Sequence, residues 1–161
     1  YQLIGDTIEV FMNDSTVDWI HMKQYCFAIE QKDSIHYNQL KGRDLKAYLV
    51  DGDMRYIIVE GNAQSIFYPE EEDGSMIGMN QTESSYLSMN LKDKKMEKLK
   101  LWPKVNARMT PLPDLTPDIT KLPEFQWLDY IRPLNKDDIF RKAKRKEEPI
   151  RRSLDIFNAE D

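Results

Sequence analysis

Few residues of this chain have a type and spacing that could support catalysis. The two histidines, His21 and His36, have no cysteine or carboxylate at a metal-ligand spacing. No serine lies in a nucleophile-elbow motif, and there is no glycine-rich phosphate loop. The single cysteine, Cys26, lies in an apolar stretch and is predicted to be a small buried hydrophobe. The sequence therefore predicts no catalytic residues, no cofactor and no metal, and hence a protein that is not an enzyme.

One acidic segment is the remaining candidate for chemistry. Residues 67–80 contain the carboxylate run Glu70 to Asp73 and two glycines. Carboxylates bind Ca²⁺, but the spacing of an EF-hand loop is absent, so a solvated surface loop is the favoured interpretation. An enzyme would require these carboxylates to converge on a cleft, and this is the weakest hypothesis for the chain.

Composition and charge narrow the class of protein. The chain has 161 residues, 40% of them hydrophobic, which is enough for one globular domain with a core. No apolar run approaches the roughly 20 residues that span a bilayer, so a membrane-spanning protein is not expected. The net charge is -5, although residues 141–152 contain seven basic and two acidic residues. An acidic body with a basic tail that lacks aromatic residues does not favour nucleic-acid binding.

The beginning of the chain suggests processing. It starts at Tyr1 and has no basic-then-apolar leader. We expect a mature or excised segment whose export signal, and further repeats, lie outside this sequence.

The secondary-structure elements that would position a site are predicted from a sequence pattern that repeats three times along the chain. The stretch from Gly5 aligns without gaps with the stretch from Gly42, at an offset of 37 residues, and a third copy follows with a longer turn. The predicted repeats are residues 5–30, 42–67 and 83–109. Units of this length cannot bury their own apolar face, so neighbouring copies stack.

Each repeat has the pattern of a strand, a turn and a long returning strand. Apolar residues alternate with polar ones, which predicts that each strand has one buried face and one solvent-exposed face. Asn, Asp and Gly between the strands predict hairpin turns. In the second repeat, Gly61-Asn62 interrupts the returning strand, and Gln24-Tyr25 and Pro103-Lys104 are the equivalent positions. These positions predict a bulge or bend.

The end of the chain departs from this pattern. Residues 111–126 are rich in proline and are predicted to be an extended connector after a β domain of residues 1–110. Residues 127–161 are predicted to be a partly helical basic tail, with Asn135 or Asp137 capping a helix through Ile139, Phe140 and Ala143.

An apolar stripe across the stacked repeats is the main candidate site. Core packing is the simpler interpretation for each residue, and an open apolar groove is the functional one. The groove candidates are Val10, Ile20, Met22, Leu49, Ile57, Val59, Leu99, Leu101 and Val105.

The repeats resemble a known family. "LKGRDLKAYLVDGDMRYIIVEGNAQSIF" followed by "YLSMNLKDKKMEKLKLWPKVNARM" is similar to the OstA-like family, which comprises periplasmic lipopolysaccharide-transport proteins and the related N-terminal domain of an outer-membrane assembly protein. The resemblance covers roughly residues 3–110, and the chain looks like a Bacteroidetes-type member. The matching residues are Gly42, Leu45, Tyr48, Ile57, Val59, Gly61, Asn62 and Ala63.

The resemblance implies a fold, a location and partners. It implies an all-β jellyroll, or folded-sheet ("taco-like"), stack of strand–turn–strand repeats in the periplasm, with a short C-terminal helical tail added here. The apolar interior would shield the acyl chains of lipid A, and the sheet edges would join other transport proteins or further copies. Lys41, Arg43 and Lys46 are candidates for the lipid phosphates. The alternative is a structural assembly module with a sealed core that acts by strand-edge association.

Overall fold

The protein is an all-β protein built on one antiparallel sheet, as the alternating sequence pattern predicts. The computed structural model describes residues 1–71 and 73–138, and the sheet within them has eight strands. The strands are β1 (Gln2–Asn13), β2 (Thr16–Gln31), β3 (Tyr37–Gly42), β4 (Asp44–Val50), β5 (Asp53–Phe67), β6 (Gly78–Lys92), β7 (Lys95–Trp102) and β8 (Asn106–Pro111). The helix predicted through Ile139, Phe140 and Ala143 lies outside the described residues.

The eight strands fill six positions across the sheet. β3 and β4 follow each other in one position, and both pair with β2 on one side and with β5 on the other. β7 and β8 share the last position, because both pair with β6. The order is therefore β1, β2, β3–β4, β5, β6 and β7–β8, with all neighbours antiparallel. Among the described strands, β1 and β7–β8 form the two edges.

Three hairpins make up the sheet, and their turns lie at the same end. Asp14, Asp51-Gly52 and Asp93-Lys94 have positive φ in the three turns. Short turns of this kind match the twist of paired strands, and Asp and Gly adopt them at little cost. The hairpins β1–β2, β3–β4–β5 and β6–β7–β8 correspond in order to the three repeats of the sequence.

A line of irregular pairing crosses the middle of the sheet, and we call it the break line. Where β1 pairs with β2 and β5 pairs with β6, the returning strand has one residue more than its partner. Positive φ angles mark the extra residues, at Gln24 in β2 and at Gly61 and Asn62 in β5. Between β7 and β8 the break falls at residues 103–105, with Lys104 at positive φ. Bulges bend strands, and these are the positions at which the sequence predicts a bend.

The break line divides the sheet into a hairpin half, next to the turns, and a far half. The inner face carries a buried apolar cluster that crosses the break line. Its members are Met22, Cys26, Leu40, Leu45, Ala47, Ile57, Val59, Ala63, Leu87 and Met89. The bend is crowded on this face, since a Cβ atom on Gly42 would overlap Cγ1 of Val59 and lie 3.3 Å from the carbonyl oxygen of Gly61. Close packing at the bend therefore requires glycine at position 42.

The opposite, outer face of the far half packs against the proline-rich segment. Leu122 of this segment is buried in a second apolar cluster with Phe27, Ile29, Ile66, Tyr68 and Met79. The side-chain oxygen of Gln39 accepts a hydrogen bond from the N–H of Leu122 at 2.8 Å, and its amide nitrogen donates to the carbonyl of Thr120 at 2.8 Å. The first compact unit accordingly runs from Tyr1 to Trp127 and includes the predicted connector.

The outer face of the hairpin half carries a row of aromatic rings across four strands. Phe11 and Trp19 stack in parallel with ring centroids 3.9 Å apart. Trp19 and Tyr48, and then Tyr48 and Tyr56, follow at 6.0 Å each. Cross-strand aromatic pairs stabilise a sheet through such contacts.

The described residues from Leu128 to Asp138 belong to a second unit. Its described part contains a short 3-10 helix, Asp129–Ile131. The side-chain oxygen of Asn135 accepts hydrogen bonds from the N–H groups of Asp137 and Asp138 at 3.0 and 3.1 Å. In the described part of the chain, no helix has the length and apolar character needed to cross a bilayer.

Candidate functional site

Two rows of apolar side chains cross the inner face of the hairpin half, with one residue from each strand position. The pairing register places the first row at Ile8, Met22, Leu45, Val59, Leu87 and Leu101. The second row, one step closer to the turns, is Val10, Ile20, Ala47, Ile57, Met89 and Leu99. At a strand spacing of about 4.8 Å, each row is about 24 Å long. A continuous apolar surface of this length can bury hydrocarbon chains.

The rows are buried in the middle and open at their ends. Met22, Val59 and Leu87 have no exposed surface, whereas Ile8 is 41% and Val10 is 52% exposed on the β1 edge. On β7, Leu99 and Leu101 are half-buried. An apolar ligand would therefore reach the row ends first, because the middle is already packed.

The structure brings eight of the nine predicted groove residues onto the inner face. Seven of them belong to the two rows, namely Val10, Ile20, Met22, Ile57, Val59, Leu99 and Leu101. Leu49 lies one step further toward the turns, paired with Met54. Val105 lies in the break between β7 and β8 and is 50% exposed. The repeat alignment that sets Pro103-Lys104 opposite Gly61-Asn62 also matches Val105 to buried Ala63, and the register agrees, because Glu60 and Trp102 both pair with Tyr86 while Gln64 and Asn106 both pair with Glu83. Val105 is exposed because it lies in the last strand position, at the edge of the sheet.

The two edges carry opposite charges. β1 contains Asp6 and Glu9 and no cationic side chain. The hairpin of β6 and β7 places four exposed lysines on the outer face, namely Lys92, Lys95, Lys98 and Lys100. Lysines on an edge strand oppose indiscriminate strand pairing but favour an acidic neighbour.

The three predicted phosphate-binding residues are separated from the apolar rows. Lys41 contacts Glu124 at 2.9 Å, and Arg43 contacts Asp44 at 2.6 Å. Lys46 pairs in register with His21 and lies on the outer face, because its chain neighbours Leu45 and Ala47 occupy the inner one. All three side chains therefore lie on the other side of the sheet from the apolar rows, and their role as ligands of lipid phosphates stays a prediction.

These ion pairs also change the acidity of the groups involved. The hydrogen bond and charge of Asp44 raise the pKa of Arg43, and the same hydrogen bond lowers the pKa of Asp44. The hydrogen bonds from Lys41 and Tyr25 lower the pKa of Glu124. Both carboxylates therefore stay ionised at neutral pH. Each remains paired with its neighbouring cation, Glu124 with Lys41 and Asp44 with Arg43.

A polar groove follows the break line. It encloses about 790 Å³ and is lined by residues of all three hairpins, among them Gln24, Asn62 and Lys104. Sequence reasoning identified these three positions as bends and not as a site. The signal was present, because each predicted bend carries a polar side chain where glycine would be the ordinary choice.

The other titratable groups that the structure describes form no reactive cluster. Burial raises the pKa of the Cys26 thiol to about 12, so the group stays protonated and packs as a small hydrophobe. Glu70 of the acidic segment pairs with Lys32 at 2.6 Å. Within residues 1–71 and 73–138, no group of three or more His, Cys, Asp or Glu residues is arranged to hold a metal ion. The buried hydroxyl of Tyr68 has no hydrogen-bond partner among these residues.

Sequence reasoning also missed members of the two rows. Ile8 and Leu45 repeat at the same 37-residue offset as Met22 and Val59, and this was the signal that they share a row. The bulges decide which residues lie side by side, because one extra residue moves every later side chain to the other face.

Comparison with models of known protein families, with curated proteins and with solved structures found no match to this chain.

Proposed function

We propose that this chain is a periplasmic module of lipopolysaccharide transport or outer-membrane biogenesis, of the OstA-like type. In this proposal it binds the acyl chains of lipid A on its inner face and joins neighbouring modules edge to edge. The observation that carries the proposal is the pair of apolar rows that cross all six strand positions and end exposed at the β1 edge. The family and the location rest on the sequence resemblance.

The energetics of the rows support lipid binding. Burial of an acyl chain yields about 0.8 kcal/mol per CH₂ group, so a chain of about twelve carbons gains enough to bind without a charged anchor. The open row ends, Ile8 and Val10, would receive the chain. The buried middle would have to separate for deeper entry, and the methionines at positions 22 and 89 are side chains that adapt to such changes.

The edges support the bridging part of the proposal. β1 and β7–β8 run antiparallel to each other, so β1 of a following module could add to β7 and continue the alternation of strands. If the apolar rows stay in line, Ile8 of the following module lies beside Leu101, and Glu9 lies beside Lys100. The continuous rows would then extend from module to module.

The experiment that tests lipid binding is native mass spectrometry with lipid A, and with a phospholipid as the comparison ligand. We predict a one-to-one complex with lipid A that is lost in Val10→Asp. The control is Val50→Asp, because Val50 is 53% exposed, close to the 52% of Val10, but lies outside the two rows. Equal lipid A binding by both variants would contradict the proposal.

A second candidate is a structural assembly module that binds no lipid. The fully buried middle of the rows favours it, because Met22, Val59 and Leu87 leave no exposed apolar surface there. Oligomers that grow with protein concentration, with no lipid A adduct in the same spectra, would select this candidate.

A further inference from the structure

The three hairpins each contribute one unpaired polar side chain to the break-line groove. Gln24, Asn62 and Lys104 are exposed and line the groove. Their side chains have no hydrogen-bond or ion-pair partner anywhere in the described ranges, 1–71 and 73–138. A groove of this kind offers two amides and one ammonium group to a ligand.

The charges that border the groove are largely compensated. Lys41 is paired with Glu124, and Arg43 with Asp44. Glu83, which accepts a hydrogen bond from Gln64 at 3.1 Å, formally balances Lys104. Once Glu124 and Asp44, the ion-pair partners outside the lining, are counted, three cations face three carboxylates. The groove with these partners therefore carries no net charge, which suits hydroxyl groups better than phosphates or carboxylates.

An aromatic platform lies next to the groove. Trp102 stacks on Tyr86 with ring centroids 5.7 Å apart and planes within 12°. Tyr86 directly follows the groove residue Ser85, and Trp102 lies two residues before Lys104. Trp102 is on the edge strand β7 and is 40% exposed, so the indole face turned away from Tyr86 is accessible. Aromatic faces of this kind stack against flat ligand surfaces, including those of sugar rings.

We propose that the break-line groove binds a neutral oligosaccharide, with Gln24, Asn62 and Lys104 donating to its hydroxyl groups and Trp102 stacking on one ring. Its volume of about 790 Å³ lies within the range of small-ligand pockets. The site lies outside the two apolar rows and uses none of their residues. It therefore does not depend on lipid binding by the inner face.

The backbone at these positions allows the side chains to be deleted cleanly. Lys104 and Asn62 have φ of 55° and 51°, a conformation in which glycine is the least strained residue. We expect Asn62→Gly/Lys104→Gly to keep the melting temperature of the wild type or to raise it by up to about 4 °C. In isothermal titration with cellohexaose, maltohexaose and hexa-N-acetylchitohexaose, the best wild-type ligand should bind this variant at least tenfold more weakly.

Lys94→Gly is the matched control. Lys94 is also a lysine at positive φ, 62°, but it lies in the turn between β6 and β7, away from the groove. The substitution should leave saccharide binding unchanged. Trp102→Ala should weaken binding, with folding verified by circular dichroism.

Three outcomes would overturn the proposal. The first is no heat of binding with any of the three neutral hexasaccharides at 10 millimolar, a concentration of order ten times a weak dissociation constant. The second is wild-type affinity in Asn62→Gly/Lys104→Gly. The third is tighter binding of hexagalacturonate or inorganic phosphate than of the neutral sugars, which would make the groove an anion site.

Discussion

The carboxylate of Asp33 makes three hydrogen bonds in the loop between β2 and β3. The N–H groups of Ile35 and His36 donate to it at 2.8 and 2.7 Å, and Nδ1 of His36 lies 2.6 Å from its second oxygen. Burial raises the pKa of Asp33, but these contacts outweigh burial and lower the pKa from 3.8 to about 2. A carboxyl group whose pKa is lower in the folded state stabilises the fold above its unfolded pKa. This contribution is lost as the pH falls from about 4 to about 2.

We predict that Asp33→Asn lowers the melting temperature at pH 6 by about 2–4 °C. The difference from the wild type should shrink between about pH 4 and pH 2, because the wild-type carboxyl becomes protonated there. The substitution keeps an oxygen acceptor for the backbone N–H groups, removes the charge and replaces the second oxygen, which faces Nδ1 of His36, by an NH₂ group. Thermal unfolding followed by circular dichroism across this range measures the difference, and a difference that does not change with pH would count against the assignment.

At the scale of elements, one buried glutamine makes two of the hydrogen bonds that hold the proline-rich segment to the sheet. Gln39 is 2% exposed and bonds both the N–H of Leu122 and the carbonyl of Thr120. We predict that Gln39→Leu lowers the free energy of unfolding by about 2–3 kcal/mol, because the buried N–H of Leu122 and the partly buried carbonyl of Thr120 lose their partner. Urea unfolding measures this loss, and limited proteolysis should show new cleavage within residues 112–127. Gln64→Leu is the control, expected within about 0.5 kcal/mol of the wild type, because Gln64 is half-exposed.

The elements also show what the sequence could and could not predict. The hairpins were predictable, because Asp51-Gly52 favours a turn and Gly61-Asn62 favours a bulge through their low cost at positive φ, which is a local property of the sequence. The face of Lys41 was not predictable, because the alternation of faces changes phase at the break between β3 and β4, so that Lys41 and Leu45 lie on opposite faces although they are four residues apart. The packing of the proline-rich segment depends on distant partners such as Gln39, and these leave no local pattern.

At the scale of the whole chain, charge is distributed between the two edges of the sheet. The acidic side chains of β1 and the lysines of β7 lie at opposite ends of the strand order. Each edge of an open sheet has a row of unpaired backbone N–H and C=O groups. Opposite charges on the two edges determine which edge of one copy pairs with which edge of the next. This distribution favours head-to-tail contacts over contacts between two identical edges, because like charges would then face each other.

Head-to-tail pairing in line with the apolar rows makes a specific prediction. It places Glu9 of one copy beside Lys100 of the next, so Glu9→Lys and Lys100→Glu should each weaken self-association about fivefold or more. The double variant should restore association to within about twofold of the wild type, because the pair is re-formed with its charges exchanged. Within the monomer, Lys23 also donates a hydrogen bond to Glu9 at 2.7 Å, so Glu9→Lys alone could weaken association by damaging the monomer. Restored association in the double variant would show that the lost contact between copies, and not this damage, is the cause. Lys46→Glu changes the same charge on the interior strand β4 and should leave association unchanged. Sedimentation velocity over a range of protein concentrations measures all four variants, and a double variant no better than the singles would rule out this register.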